Sequence, residues 1–294
     1  MSQLIAIEPD FLRSIPLPRH GEDADKDERG RILVIGGSRA VPGALLLSGV
    51  AALRAGAGKL QLATVASAAI QIGVAVPEAL VMALAETDDG HIASDALDGI
   101  AHRLGRCDAL LIGPGMLDED AATAVTLAAL AADGPAFVLD AGALCNLQAE
   151  ADTLHRHAGR VVMTPHAGEM ARMTGLSAGE IAADPAAVAA RVAAELGAVI
   201  VLKGGCTVIA VPDGRTWQYS RGQVGLATSG SGDTLAGVIA GLLARGAEPH
   251  AAAIWGVYLH GEAGNRLSQT RGPVGFLARE LLAEIPALMA ELAG

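Results

Sequence analysis

The chain has few aromatic residues, few cysteines and no cluster of positive charge, and each shortage excludes a class of protein. Phe, Tyr and Trp make up 2% of the 294 residues, so the interior must be built from aliphatic side chains. The three cysteines, Cys107, Cys145 and Cys206, are an odd number and lack metal-ligand spacing. His155 and His157 have no cysteine or carboxylate at the spacing of a zinc site. We therefore expect reduced thiols, a cytoplasmic protein and no zinc site.

The charge balance and the apolar segments exclude nucleic acids and membranes as partners. Asp and Glu number 32 against 21 Lys and Arg, and the net charge of −11 leaves no basic face for a phosphate backbone. The most apolar long segment, residues 43–57, contains Arg54 and is shorter than the roughly 20 residues of a membrane-spanning helix. Residues 1–18 lack the basic start and apolar run of a secretory signal. A nucleotide ligand stays compatible with this charge, because backbone amides also hold phosphates.

From residue 31 onward, short apolar runs alternate with segments of helical periodicity. This alternation predicts a mostly parallel sheet with helices on both faces, which is a three-layer α/β/α fold. The tripeptide Pro212-Asp213-Gly214 predicts a hairpin that forms an antiparallel edge of the sheet. The predicted parallel strands span residues 31–36, 59–65, 79–85, 108–112, 136–140, 161–164 and 198–202, and the hairpin strands span 207–211 and 216–219.

The chain divides into a charged start and one long regular region. Residues 1–30 end in the run GEDADKDERG, and we interpret them as an N-terminal surface segment. No linker interrupts residues 31–294, which are predicted to form a single domain. The predicted helices span residues 43–57, 67–76, 94–104, 119–132, 185–196, 233–245, 248–268 and 274–293.

The segment from Gly225 to Leu243 joins a glycine-rich loop to the start of a helix. Such a junction presents free backbone amides to an anion, and the helix dipole is positive at that end. Asp233 at this junction fits two roles. It is either a carboxylate that stabilises the helix start or a catalytic base beside a bound phosphate.

Polar and glycine-rich residues follow the predicted parallel strands, where ligands gather in open α/β sheets. His166 and Glu169 are either a titratable pair or a surface histidine and a helix cap. Lys203 ends an apolar strand, where a lysine needs a ligand or an ion-pair partner. The strand-end residues are Gly36-Gly37-Ser38, Gly113-Pro114-Gly115, Asp140, Pro165-His166 and Lys203-Gly204-Gly205.

Seven segments, taken in order, carry a resemblance to one known family. They are ILVIGGSRAVPGALLLSGVAALRAGAG, LLIGPGM, FVLDAGAL, TPHAGEMARM, VLKGGCTVI, GLATSGSGDTLAGVIAGLL and YLHGEAGN. Over about residues 30–290 the chain resembles the ADP/ATP-dependent NAD(P)H-hydrate dehydratases, which have a ribokinase-like fold. The resemblance implies a lyase that repairs the S epimer of hydrated NADH and NADPH. Such an enzyme phosphorylates the added hydroxyl from ADP or ATP and then eliminates phosphate.

The resemblance also implies roles for particular residues. Asp233 would deprotonate the substrate hydroxyl, and the amides of the Gly230-Ser231-Gly232 segment would hold the transferring phosphoryl group. The adenosine portion of the donor would contact Lys203, Gly204, Gly205, Cys206, Thr207 and Gly232, and the hydrated dinucleotide would contact Ala44, Gly115, His166 and Asp233.

The family further implies Mg²⁺ bound by the donor phosphates, with no protein ligand assigned to it. It implies a homo-tetramer and functional pairing with a separate NAD(P)HX epimerase, and we expect ADP as the donor. Two other functions stay open: a ribokinase-like kinase of a vitamin precursor, and a nucleotide-binding protein without turnover. The TPHAGEM and LLIGPGM segments favour the dehydratase over the kinase.

Overall fold

The computed structural model describes residues 4–21, 23 and 25–292, and the strands of this part of the chain form one ten-stranded sheet. The strands are β1 (Leu4–Ala6), β2 (Arg31–Ile35), β3 (Lys59–Val65), β4 (Ala79–Leu84), β5 (Ala109–Ile112), β6 (Ala136–Leu139), β7 (Val161–Met163), β8 (Val199–Leu202), β9 (Thr207–Ala210) and β10 (Thr216–Tyr219). The helices are α1 (Pro9–Ser14), α2 (Gly43–Arg54), α3 (Ala66–Ala75), α4 (Ala101–Leu104), α5 (Glu119–Leu130), α6 (Ala151–His155), α7 (Ala167–Thr174), α8 (Ala178–Ala183), α9 (Pro185–Leu196), α10 (Ser231–Ala244), α11 (Pro249–Thr270) and α12 (Ala278–Leu292).

The sheet is mostly parallel, as its apolar runs predict. Its strand order is β1-β10-β9-β8-β7-β6-β5-β2-β3-β4, and the seven strands from β8 to β4 are parallel to one another. Strand β2 lies between β3 and β5, and its Ile32 pairs with both Leu60 and Ala109. β9 is antiparallel to β8 and to β10, which confirms the predicted hairpin.

Helices cover both faces of the sheet, because alternate strand residues face two separate hydrophobic clusters. Ile32 and Val34 belong to one cluster, and Leu33 and Ile35 belong to the other. The first cluster includes buried residues of α2, α10, α11 and α12, and the second includes those of α5, α7 and α9. This arrangement confirms the three-layer α/β/α fold. Among the described residues, no helix combines the length and the apolar character that crossing a bilayer needs.

The start of the chain differs from the predicted surface segment. β1 pairs in parallel with β10, so the hairpin lies one strand inside the edge of the sheet. Ile7 and Leu12 are 2% and 0% exposed, because these apolar side chains extend the core beside α11 and α12. The described residues of the charged run, 21, 23 and 25–29, are exposed as expected, whereas residues 22 and 24 lie outside the described part.

A second difference concerns residues 94–104, which are predicted to form one helix. The structure has a 3₁₀ turn at Asp98–Ile100 and then the single turn of α4. Leu97, Ile100 and Leu104 are buried at spacings of three and four, which turns and helices share. The short helices α1, α6, α7 and α8 are not predicted by the periodicity either.

The position of α10 depends on two glycines that let it lie directly on α2. A Cβ at Gly237 would collide with the carbonyl oxygen of Ser48 and lie 2.7 Å from the Cβ of Ala51. A Cβ at Gly241 would likewise collide with the carbonyl oxygen of Ala52. Close backbone approach of this kind requires glycine, so these contacts set the short distance between α10 and α2.

We expect Gly237→Ala to lower the free energy of unfolding by about 1–3 kcal/mol, because the added methyl separates α10 from α2. This loss exceeds the gain of up to about 1 kcal/mol that alanine brings to a helix. Gly73→Ala in α3 is the matched control, since a Cβ there lies 3.6 Å from Val81 in ordinary contact. Urea unfolding of both variants checks this, and an undiminished stability of Gly237→Ala would contradict it.

Candidate active site

Three neighbouring parallel strands end close together and are followed by polar side chains. Asp140 follows β6, and Lys203 follows β8 directly. His166 lies after β7 and forms a parallel bridge with Lys203, which continues the β7–β8 pairing beyond the strands. Because carboxyl ends of parallel strands meet at one edge, the fold brings these three residues together where ligands bind in such sheets.

The backbone at this edge is tightly packed, which explains the glycines after β2 and β5. A Cβ at Gly36 would collide with the carbonyl oxygen of Pro114, and one at Gly113 would collide with that of Asp140. Ala141 has a φ of 48°, a left-handed conformation that is uncommon for a residue with a side chain. Strain of this kind is held in place by its surroundings and concentrates at functional sites.

Lys203 lies among buried carboxylates. Its Nζ donates to Asp140 Oδ1 at 2.8 Å and lies 3.9 Å from Glu169 Oε2. The Thr164 hydroxyl donates to the same Asp140 oxygen at 2.7 Å. The side chains of Lys203, Asp140 and Glu169 are 17%, 2% and 8% exposed, so little solvent screens their charges. The predicted alternative of an ion-pair partner for Lys203 is therefore realised.

The Lys203 ammonium also lies over the first turn of α10. A Cβ at Gly232 would lie 3.4 Å from its Nζ, so the glycine leaves this approach open. Burial lowers the pKa of Lys203, but the charges of Asp140 and Glu169 outweigh burial and raise the pKa overall. The group therefore stays an ammonium and faces the helix end that favours anions.

Asp233 lies in the first turn of α10, two residues after the first residue of the helix. The N-cap is Gly230, with a φ of 85°, so Asp233 is not the helix cap. Burial raises the pKa of Asp233 to about 6, and the charge of Asp140 adds to this rise. Lys203 partly offsets it. Within the described residues the Asp233 carboxylate accepts no hydrogen bond, which leaves it free to accept a proton from a ligand.

His166 caps helix α7 and thereby has a defined tautomer. Its Nδ1 accepts from the amides of Gly168 at 2.9 Å and Glu169 at 3.1 Å, while its own amide donates to Glu169 Oε2 at 2.7 Å. A nitrogen that accepts two amide protons carries none itself, so the neutral ring holds its proton on Nε2. The side chain is 55% exposed. Its Nε2 lies 3.5 Å from Glu169 Oε1, so His166 both caps the helix and pairs with Glu169.

Ala44 and Gly115, both predicted to contact the dinucleotide, lie against each other. A Cβ at Gly115 would lie 3.0 Å from the Ala44 Cβ, and Gly115 has a φ of 72°. Ala44 is only 4% exposed, and Gly115 is half-buried. The two residues bring the first turn of α2 next to the loop after β5.

The five residues from Lys203 to Thr207 separate into two parts. The Lys203 ammonium points toward Asp140, as described above. Gly204 and Gly205 are exposed, and Cys206 and Thr207 are half-buried. The Thr207 hydroxyl donates to the carbonyl oxygen of Gly204 at 3.4 Å, which closes the turn between β8 and β9.

The residues at the site do not form a metal cage of their own. Over the described ranges no group of three or more His, Cys, Asp and Glu side chains has the arrangement to hold a metal ion. The carboxylates of Asp140 and Glu169 already face the Lys203 ammonium. A divalent cation here would need phosphate oxygens as most of its ligands, which suits Mg²⁺.

From the sequence, Asp140 is named only as a strand-end residue and Glu169 only as a partner of His166 or a helix cap, and it is not predicted that both face Lys203. Asp140 is an acid directly after an apolar strand, and Glu169 lies three residues after His166. A charged residue at the end of a buried strand is the signal that marks both Asp140 and Lys203. Their mutual contact spans 63 residues of chain, so spacing alone does not reveal it.

Comparison with known proteins gives consistent matches over most of the chain. The family model described as NAD(P)H-hydrate dehydratase matches residues 32–287. An ADP-dependent (S)-NAD(P)H-hydrate dehydratase of Xanthomonas campestris is 47% identical over 284 residues, which cover 96% of this chain and 94% of that protein. A bifunctional NAD(P)H-hydrate repair enzyme of Moorella thermoacetica is 40% identical over 276 residues. The match covers 94% of this chain but 52% of that enzyme, so the chain spans about half its length.

A solved structure shows the same fold. The ADP/ATP-dependent NAD(P)H-hydrate dehydratase of Bacillus subtilis, co-crystallised with ATP and Mg²⁺, superposes with a TM-score of 0.81 and 32% identity. The superposition covers 98% of this chain and 99% of that one.

We expect Asp233→Asn to stabilise the ligand-free protein at neutral pH. The folded-state pKa of Asp233 is about 6 against an ordinary 3.8. The loss of stability caused by its ionisation therefore grows as the pH rises from about 4 to 6 and is complete above pH 6. The variant should gain about 1–3 kcal/mol above pH 6 and nothing below about pH 4. Denaturant unfolding over this pH range measures it, with Asp133→Asn, an exposed loop carboxylate, as control. An equal gain at pH 4 and pH 7 would contradict it.

Proposed function

The chain belongs to the NAD(P)H-hydrate dehydratase family, and on this basis we propose that it dehydrates the S epimers of hydrated NADH and NADPH. ADP or ATP is the phosphate donor, so the protein is a lyase that repairs damaged nicotinamide nucleotides. The observation that carries the chemistry is Asp233, a carboxylate with a pKa of about 6 beside free amides and the Lys203 ammonium.

Asp233 is the base of the phosphoryl transfer. Its carboxylate is ionised at neutral pH yet basic enough to accept a hydroxyl proton, because the ideal pKa of a general base lies near the working pH. It occupies the first turn of the helix at which a phosphate is most stable. The hydroxyl oxygen then forms its bond to the terminal phosphorus of the donor as the donor's own bridging P–O bond breaks.

The start of α10 supplies the anion hole. In the described structure the amides of Gly230, Gly232 and Asp233 have no hydrogen-bond acceptor, whereas the Ser231 amide donates to the carbonyl oxygen of Thr228 at 3.2 Å. The left-handed Gly230 turns the loop so that the helix begins there. These amides stabilise the charge of the migrating group, and the Lys203 ammonium above Gly232 adds a full positive charge.

The second half of the reaction uses the phosphate as a leaving group. Hydroxide leaves poorly, whereas phosphate leaves well. The C–O bond breaks as the lone pair of the ring nitrogen moves into a C=N bond. Loss of a proton from the neighbouring carbon then restores the ring double bond of the reduced nicotinamide. The same amides that hold the phosphoryl group during transfer stabilise the departing phosphate.

The ligands occupy the two sides of this centre. The exposed turn from Gly204 to Thr207 contacts the adenosine portion of the donor, and Ala44, Gly115 and His166 contact the dinucleotide, with the His166 Nε2–H as donor. Mg²⁺ enters on the donor phosphates, as the co-crystal of the Bacillus subtilis relative with ATP and Mg²⁺ supports. We assign it no protein ligand, since the carboxylates here face Lys203.

We also propose a cytoplasmic homo-tetramer in which residues 31–294 form one domain. Reaction with the S epimer alone requires a separate epimerase, which the bifunctional Moorella relative supports. For the assembly, Ile70 and Val74 lie one helical turn apart on α3, and each is 79% exposed. Leu80 on the edge strand β4 is 47% exposed. An apolar face of this kind suits contact with a second copy.

The oligomer has its own test. We expect Val74→Glu to lower the molar mass measured by light scattering, because it places a charge in an apolar interface. Glu78→Gln, on an exposed residue between α3 and β4, is the control and should leave the mass unchanged. A wild-type monomer at micromolar concentration would contradict the proposal.

We expect Asp233→Asn to lower turnover by roughly 10²–10⁴-fold while nucleotide binding persists, because the amide cannot accept the hydroxyl proton. Hydrated NADH with ADP or ATP is the substrate pair, and recovery of reduced-nicotinamide absorbance with phosphate release is the readout. The wild-type rate should fall below about pH 6, where Asp233 becomes protonated.

Asp133→Asn is the control and should retain the wild-type rate. If Asp233→Asn retained nearly the wild-type rate, Asp233 would not be the catalytic base. A stable phosphorylated product would identify a small-molecule kinase instead, and nucleotide binding without any turnover would identify a non-catalytic protein.

A further inference from the structure

His260 on α11 is a titratable side chain that the reaction described above does not use. Its Nε2 lies 2.9 Å from the hydroxyl oxygen of Ser231, the first residue of α10. The two helices are held together by a close contact, since a Cβ at Gly256 would collide with the side chain of Ile239. The Ser231–His260 contact is therefore set by the packing of two long helices.

The imidazole of His260 is neutral at physiological pH. Burial lowers the pKa of His260 to about 4, a hydrogen bond to the Ser231 backbone opposes this effect, and the charge of Lys203 adds to it. A neutral ring carries one proton, so the contact with Ser231 contains a single hydrogen. Either the ring donates to the hydroxyl oxygen or the hydroxyl donates to the ring.

The position of Ser231 decides between these two arrangements. It is 6% exposed and directly precedes Gly232 and Asp233, whose amides have no acceptor in the described residues. If the hydroxyl donated to His260, its oxygen lone pairs would face the phosphoryl oxygens and repel them. If the ring donates, the hydroxyl proton is free to point the same way as the amides.

Building on the proposed function, we propose that His260 is a positioning residue for the anion hole. Its Nε2–H donates to Ser231 Oγ and turns the Ser231 hydroxyl proton toward the phosphoryl group. Ser231 then donates to the phosphoryl group through its side chain. His260 touches neither substrate and acts only through Ser231.

A double-mutant cycle with turnover as readout tests this. We expect Ser231→Ala and His260→Leu each to lower kcat by roughly 10²–10³-fold, the range of a lost anion-hole donor. KM for ADP should change less than about threefold, because the hydroxyl acts on the migrating group. The double variant should be no slower than Ser231→Ala, since the two side chains act as a unit.

Conservative variants separate positioning from a structural role. His260→Gln keeps an N–H donor at similar reach and should restore kcat to within about fivefold of wild type, while His260→Asn is too short and should not. If His260→Leu fails to fold, the difference in kcat between His260→Gln and His260→Asn still tests the proposal. His250→Gln, on the same helix but stacked on Trp217, is the matched control and should leave kcat unchanged.

Three outcomes would overturn the proposal. The first is a double variant whose kcat loss equals the product of the two single losses. The second is an equal kcat for His260→Gln and His260→Asn. The third is a change in KM for ADP with kcat unaffected. An inactive wild type that binds nucleotide would instead overturn the proposed function, so the two failures are distinguishable.

Discussion

The site depends on one constraint: three carboxylates and one ammonium are buried together where the strands of a parallel sheet meet the start of a helix. The 2.8 Å contact between Lys203 and Asp140 fixes the ammonium, and the charges of Asp140 and Glu169 together outweigh burial and keep it protonated. Removing one partner of such a pair leaves an unpaired buried charge, which costs about 3–5 kcal/mol. Burial raises the pKa of Asp233, the negative charge of Asp140 raises it further, and the Lys203 ammonium limits the rise.

The scaffold makes this cluster possible through close backbone contacts. Gly237 and Gly241 let α10 lie on α2, and Gly113 lets the chain after β5 pass beside the carbonyl oxygen of Asp140. The ends of α10 and of three strands are thus set by packing over the whole ribokinase-like fold. Sites built on rigid elements hold their geometry better than sites on free loops, and here Asp233 lies in a helix and Lys203 directly follows a strand, whereas Gly204 and Gly205 lie in an exposed turn.

The sequence predicts the architecture well because its signals are local. Apolar runs give the parallel strands, Pro212-Asp213-Gly214 gives the hairpin, and the glycine loop gives the start of α10. It fails where contacts are distant. Nothing in residues 1–30 indicates that β1 pairs with β10 some 200 residues away, and nothing near Asp140 indicates Lys203. The roles of Asp140 and Glu169 follow only from the distances between strand ends.

The charge of the site also explains why donor and cation belong together. With all groups ionised, Asp140, Glu169 and Asp233 exceed the single Lys203 ammonium by two negative charges. A nucleoside diphosphate or triphosphate brings more negative charge into this poorly screened space, where like charges repel strongly. The helix amides supply only about half a positive charge. In the proposed reaction a divalent cation carried on the donor phosphates would supply the rest, which would leave Asp140 and Glu169 to hold Lys203 and Asp233 to accept a proton.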